Sequence, residues 1–314
     1  MVRQQTETTV VSRKVKKVKR FTAFDGLICF ILVILTFISL YPLYYTIIAS
    51  LSDYMAVASG KVRLWPVGFN IKAYQLVFQN PDIWRGYLNT ILYTVFGTLF
   101  NLILTIPTAY VMSKKQMFGH TVITWFFLIT MYFSGGLIPT FMLMKALGLV
   151  NNPLIMVLSG GLSIYNMIVT RTYFSNSIPI SLYEAGRIDG SSEFGLFFKI
   201  ALPLSMPIIA VMTLYYAVGH WNSYFNALIY LQDPKDQPLA LVLRRILIMN
   251  QNAVDEDAIA ALDPKMIEDM QARANTAIVM KYSLVLIASA PMLILYPFIQ
   301  KYFVKGIMIG SVKG

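Results

Sequence analysis

LYEAGRIDGSSEFGLFFKIALPLSMP, residues 182–207, holds three acids and two bases in a chain that is otherwise strongly apolar. Of 314 residues, 57% are hydrophobic and 13% charged, where a soluble domain carries about a quarter charged residues. The polar segment has to be explained against a membrane background, and its spacing predicts a shape. S-L-Y-E at 181–184 has the form of a capping box, in which Ser181 caps the backbone N–H at Glu184, Glu184 reaches back, and a helix starts at about Leu182. Asp189-Gly190 stops that helix, with Gly190 suited to the left-handed position after a C-terminus. Ser191 or Ser192 then caps a second helix whose Phe194, Phe197 and Phe198 share one face, turned to the membrane or to neighbouring helices. Pro203 and Pro207 mark the entry into the next apolar run. The expectation is a compact helix-turn-helix over 181–200, with Ala185 and Gly186 small enough for another protein to approach closely.

Around this hairpin the chain reads as six apolar spans, at approximately 26–50, 87–112, 119–144, 153–174, 202–221 and 277–300. Each reaches roughly the 20 residues that carry a helix across about 30 Å of hydrocarbon. The basic stretch SRKVKKVKR (12–20) precedes the first run as it would in a secretory signal. That run is far longer than the core of a signal, about 7 to 15 residues, and has no small-residue cleavage site, so it is kept as a span. Residues 1–20 form a basic cytoplasmic tail and 21–314 one membrane domain. With both termini in the cytoplasm, fifteen of the 26 Lys and Arg fall on the inner side, and the acids offset most of the rest on the outer side. The net charge of +11 is thus explained by topology, and nucleic acid is set aside as a partner. Cys29 is the one cysteine, which leaves no disulfide framework, and it reads as a small buried apolar residue.

Two outer loops have structure of their own. In 53–85 the turn WPVG (65–68) precedes an amphipathic stretch ending near Asn80-Pro81. The longer loop, 233–273, contains the helical pattern LALVLRRILIM (239–249) and Asp263-Pro264 as an N-cap and first helical residue.

The missing chemistry is informative. GxxxxGK[ST], HExxH and GxSxG are all absent. His120 and His220 lie far apart in sequence and read as structural or interfacial. No span carries Asp, Glu, Lys or Arg near its centre, where ion-coupled carriers place an ionisable group at a cost of roughly 2.5–3.5 kcal/mol. A stand-alone carrier or an intramembrane enzyme therefore lacks its working residues, and the energy for uphill transport is expected from another subunit.

The spacing Glu184-Ala185-Gly186, three residues, Gly190, nine residues, Ile200-Ala201-Leu202-Pro203 resembles the cytoplasmic EAA loop of permease subunits of bacterial ABC importers. Gly186 replaces the second alanine of that pattern. YAVGHWNSYFNALIYL (216–231) and YPFIQKYFVKGIMIGSVKG (296–314) resemble the carbohydrate branch of these permeases, in particular the maltose-permease-like second subunit of oligosaccharide importers. The resemblance covers roughly residues 70–314. It implies an all-α type I importer fold in the bacterial cytoplasmic membrane, a homologous second permease, two cytoplasmic ATPase subunits and an extracellular solute-binding protein. ATP and Mg would sit on the partner ATPases and no cofactor on this chain. It further implies that the first hairpin helix inserts into the ATPase, with Glu184 at the contact, Ala185, Gly186 and Asp189 beside it and Gly190 supplying the turn. The basic, glycine-rich tail after Lys305 is a further place for ATPase contact.

For the solute, the spans offer neutral polar groups and rings, with Asn101, Tyr132, Asn166, Thr213, Tyr216 and Asn222 as candidates for the translocation path. Such groups suit a sugar chain, although interfacial aromatics and interhelical amides serve ordinary membrane proteins in the same way. An amino acid, polyamine or peptide cargo would keep the same architecture. Arg244 and Arg245 in the outer loop suit an acidic saccharide, while a solvated face or a contact with the binding protein is the simpler reading.

Overall fold

The computed structural model describes residues 22–251, 279–294 and 297. The basic tail, Asp263-Pro264, the rest of the outer loop and the segment after Lys305 lie outside these described residues. All regular elements among the described residues are helical.

The chain divides into two units, Met1–Tyr45 and Thr46–Gly314. The first consists of most of α1 (Ala23–Ser50). Thr22 opens it, its backbone N–H and its hydroxyl both donating to Asp25 Oδ2 at 2.9 and 2.6 Å, so the acid supplies the reach-back half of a capping box. Residues 27–44 are all exposed, so Cys29, expected to be buried, instead sits on an open apolar surface.

In the second unit, the end of α1 is tied to the loop that follows. Ser52 Oγ accepts from Val67 N, and Asp53 N donates to Val67 O at 2.9 Å, which folds WPVG back onto Asp53. Gly68 has φ +66°, and a Cβ there would sit 2.9 Å from that of Asp53. Short α2 (Tyr54–Ala58) is capped by Asp53, and α3 (Lys72–Gln79) ends at Asn80, where the sequence places its stop. Asn80 then caps α4 (Pro81–Ser113), with Pro81 in the first turn.

Helix α4 is the axis of this unit and packs most extensively on α12 (Met206–Trp221), then on α8 (Ile164–Ser177). Its exposed face is apolar, with Leu88, Val95, Leu99 and Ile103, while its buried face carries Thr90, Thr94, Thr98, Asn101 and Thr105 one turn apart. Lipid is as apolar as leucine, so helices in it associate through close packing and hydrogen bonds, and the polar residues turn inward.

Helices α1 and α4 are long and apolar enough to cross a membrane. Two further stretches qualify only as bent pairs. The expected span 119–144 is broken into α5 (His120–Tyr132) and α6 (Leu137–Ala146), which meet at 111°. The sequence there is Phe-Ser-Gly-Gly, and Gly136 has φ +85°, which a helix cannot contain. The expected 153–174 is likewise divided, into α7 (Leu154–Leu158) and α8, by a loop through Gly160, φ +71°, and Gly161. The run entering at Pro203 bends by 77° around Ser205, and a break at Asn222-Ser223 separates α12 from α13 (Tyr224–Tyr230). Helix α14 (Leu239–Gln251) coincides with the expected outer-loop helix, and Gly86 of α4 admits Leu239 against its backbone. The last stretch, α15 (Val279–Ile294), receives hydrogen bonds from Tyr87 to Ile287 O and from Trp221 Nε1 to Ala288 O.

Candidate functional site

The hairpin is built from α9 (Ile180–Ile188) and α10 (Glu193–Leu196), followed by a π-helical turn, Phe197–Ala201, and a single turn α11 (Leu202–Leu204) containing Pro203. Helix α9 begins earlier than the capping-box reading has it. Its N-cap is Pro179, held extended at φ −60°, ψ 137°, and Leu182 N bonds back to Pro179 O, so Ser181 already lies in the first turn. A capping serine must precede the helix, and Ser181 makes no such bond. Among the described residues the Glu184 side chain likewise makes no hydrogen bond or ion pair, and it is exposed.

The turn follows the sequence closely. Ser191 N bonds Gly186 O at 2.9 Å and Gly190 N bonds Arg187 O at 3.0 Å, the paired bonds of a Schellman motif, with Gly190 at φ +79°. Of the two serines, Ser192 is the cap, its Oγ accepting from Gly195 N. Arg187 clasps Glu193 Oε1 through Nε and Nη2 at 3.0 and 2.7 Å, and this hydrogen bond and charge hold the guanidinium above its usual range.

Gly186 does not lie on the open face. It is buried, and a Cβ there would come within 2.5 Å of Leu196 Cδ2 and 3.0 Å of Ile200 Cδ1. The small residue admits the hairpin's own second helix rather than another protein. The three phenylalanines also part company, because the π turn starting at Phe197 shifts the register of the faces. Phe197 joins the core while Phe194 and Phe198 stay exposed. What α9 presents outward is Ile180, Glu184 and Ile188, one turn apart, with Ala185 and Asp189 beside them, and Ile188 is 86% exposed.

The back of the hairpin is anchored by Tyr183, which packs with Tyr110, Phe174, Leu196 and Phe197. Tyr110 is the hub, with ring centroids 4.9 Å from Phe197, 5.6 Å from Phe174 and 6.2 Å from Tyr183. Burial pushes the Tyr183 phenol up to about 12, with nearby Tyr110 adding to the effect.

Deeper in the bundle the path candidates separate into two groups. Asn101 Nδ2 donates to Gly160 O at 3.0 Å and Gly161 O at 2.8 Å, and its Oδ1 accepts from His220 Nε2 at 2.6 Å. One turn along both helices, Thr105 and Tyr216 share a hydrogen bond of 2.6 Å. The two rungs bolt α4 to α12 and satisfy the unwound backbone between α7 and α8, which has no water to bond inside a bilayer. Gly97 gives the histidine its seat, since a Cβ there would lie 2.3–2.7 Å from three atoms of the imidazole ring. Asn166 is buried in α8 near its start, where Ser163 caps it. Thr213 bonds its own helix at Ile209 O, Asn222 donates to Val218 O from an exposed position at the α12 break, and Tyr132 is exposed at the end of α5. Thus Asn101 and Tyr216 are engaged within the chain, while Tyr132 and Asn222 are open.

The bolt was not predicted from the sequence, although Gly97 and Asn101 on one face of α4 were a signal for a close-packed polar contact. His120 is structural, bonding Met112 O across the loop after α4. No cluster of metal-ligating side chains occurs among the described residues. At the start of α4, Arg245 pairs with Asp82 at 2.7 Å, and the Arg244 guanidinium lies 5.7 Å from the Tyr224 ring. Both arginines line an open cavity of about 260 Å³ with Gln237, Leu241 and Ile248.

Comparison with known proteins agrees along most of the chain. The sequence profile described as "Binding-protein-dependent transport system inner membrane component" matches residues 83–309. The polygalacturonan/rhamnogalacturonan transport system permease protein YtcP of Bacillus subtilis is 36% identical over 294 residues, 93% of this chain and 98% of YtcP. Protein LplC of the same organism is 36% identical over 278 residues, 88% of this chain and 90% of LplC. Among solved structures, a bacterial ABC transporter involved in import of the acidic polysaccharide alginate contains a chain that superposes with a TM-score of 0.78 at 32% identity, covering 91% of this chain and 98% of that one. The hairpin, the helical bundle around α4 and these matches together establish that the chain belongs to the family of inner membrane components of binding-protein-dependent transport systems.

Proposed function

We propose that this chain is one of two permease subunits of an ATP-driven oligosaccharide importer in the bacterial cytoplasmic membrane, and that residues 181–200 receive the work of ATP hydrolysis. The observation that carries the reading is the division of labour on α9. Its inner residues, Tyr183 and Gly186, are buried in this chain, while Ile180, Glu184 and Ile188 form an exposed stripe whose carboxylate makes no ion pair among the described residues. Two ATPase subunits carrying ATP and Mg would dock there, a homologous permease would complete the path, and an extracellular solute-binding protein would deliver the cargo. Six spans with both termini in the cytoplasm account for the Lys/Arg bias, with α5–α6 bent. Hydrolysis belongs to the partner, and this chain alternates access. Tyr132, Thr213 and Asn222 are the groups assigned to the path.

Co-expression with an ATPase subunit of a related importer and co-purification test the assembly. Glu184→Gln should leave the chain folded yet lower ATPase association and uptake, since no cap depends on Glu184. Unchanged association and uptake would overturn the assignment of Glu184.

The relatives and the outer arginines support a narrower cargo class. The solved relative imports an acidic polysaccharide, and here Arg244 and Arg245 line the outer cavity. We assign a saccharide bearing carboxylates. The assembled transporter with its binding protein should accumulate oligogalacturonate in preference to its methyl ester, and equal uptake of the two would remove the acidic assignment.

A further inference from the structure

Lys114 is the residue immediately after α4, with its backbone N–H bonded to Val111 O. Its side chain does not extend into the cytosol. The ammonium lies 3.2 Å from the centroid of the Tyr183 ring and 4.8 Å from that of Tyr110. Tyr110 is on α4 itself, one turn back, and Tyr183 is on the first hairpin helix. Burial lowers the lysine's basicity from its usual value, an effect that the nearby Glu193 partly offsets.

Three features make this contact more than packing. An ammonium over a ring face is attracted by the ring quadrupole, more strongly when desolvated. The cation also stands at the C-terminus of α4, where the helix dipole favours positive charge. Finally, the hydroxyls of Tyr110 and Tyr183 are both buried without hydrogen-bond partners, so it is the faces of the rings that make the contacts here. The hairpin is itself stiff, closed by the Schellman turn, the Ser192 cap, the Gly186–Leu196 contact and the Arg187–Glu193 pair. A stiff lever transmits displacement only if it is fastened to what it moves, and the Lys114–Tyr183 contact joins it to the helix whose other residues bolt α12 and the α7–α8 loop.

We propose that Lys114 is the positioning residue that fastens the coupling hairpin to α4, so that hairpin displacement becomes movement of the bundle. This rests on the coupling role given to the hairpin above. It is not the contact with the ATPase: Lys114 meets the buried Tyr183, whereas Glu184 lies on the exposed stripe of α9.

The test uses the assembled transporter in proteoliposomes, and measures both solute uptake and ATP hydrolysis stimulated by the loaded binding protein. Lys114→Met keeps the length and apolar stem and removes the charge. It should still co-purify with the ATPase and hydrolyse ATP, but move about tenfold less solute per ATP. Lys114→Arg should retain most of the wild-type ratio. Tyr183→Phe should behave as wild type because the ring face is kept, whereas Tyr183→Leu should reproduce Lys114→Met, and combining the two should add little further loss. A wild-type transport ratio in Lys114→Met would overturn the proposal while leaving the hairpin's role intact. Loss of ATPase co-purification in the wild-type chain would instead overturn the hairpin's role.

Discussion

Replacing Asn101 with leucine separates a bolt from a substrate contact. Leucine nearly matches asparagine in shape, so little cavity forms, but Gly160 O, Gly161 O and His220 Nε2 each lose a partner at a site where Asn101 is buried. An orphaned buried polar group costs about 1–3 kcal/mol in soluble proteins. Interhelical hydrogen bonds in a bilayer average about 0.6 and reach about 1.7 kcal/mol, because the separated helices find other partners. The two carbonyls belong to an unwound loop, and among the described residues Asn101 is the donor that reaches both, which places them toward the upper figure, while the histidine has more freedom to adapt. The sum is about 2–4 kcal/mol, which at roughly 2–4 °C per kcal/mol lowers the unfolding midpoint by on the order of 5–15 °C. Thermal unfolding of the detergent-solubilised chain measures it, and the cycle with His220→Ala isolates the shared term. A midpoint unchanged within about 1 °C, together with a raised half-saturation concentration for solute, would refute the bolt and return Asn101 to the translocation path.

Other substitutions test the remaining geometry. Gly97→Ala drives a methyl into the His220 ring, which its bond to Asn101 holds in place, and should cost about 1–3 kcal/mol as an overpacked contact, read from the same unfolding curve. Gly190→Ala meets no neighbour, so its cost is the backbone penalty alone, about 1–2 kcal/mol, and Gly190→Asn should recover part of it. Ser181→Ala should be silent in both stability and uptake, whereas a serine closing a capping box would cost about 1 kcal/mol.

The hairpin was legible in sequence because its signals are local. Gly190 and Ser192 each act on neighbours within a few residues, and both stand where the spacing puts them. The start of α9 was misread because two local signals compete: Pro179, extended and without an N–H, caps the helix before Ser181 can. The breaks at Phe-Ser-Gly-Gly and around Gly160-Gly161 were hidden by hydropathy, which counts glycine in an apolar run as continuous while its backbone turns to positive φ. The bolt and the lysine contact were beyond local reading for a different reason. Asn101 meets Gly160, Gly161 and His220, and Lys114 meets Tyr183, so each depends on which helices become neighbours rather than on any pattern within one of them. Arg244 and Arg245 are visible as residues in the sequence, but the Asp82 pair that ties down only the second of them appears only in three dimensions.

The distance along the chain between Asn101 and its histidine, 119 residues, also has a bearing on biogenesis. Helix α4 emerges from the ribosome and partitions into lipid well before α12 exists, with the Asn101 amide and the Thr105 hydroxyl on one side and their partners not yet made. During that interval the nascent helix is a polar-striped object in hydrocarbon. That stripe keeps its polar cost until translation supplies the glycine carbonyls, the Tyr216 hydroxyl and the imidazole.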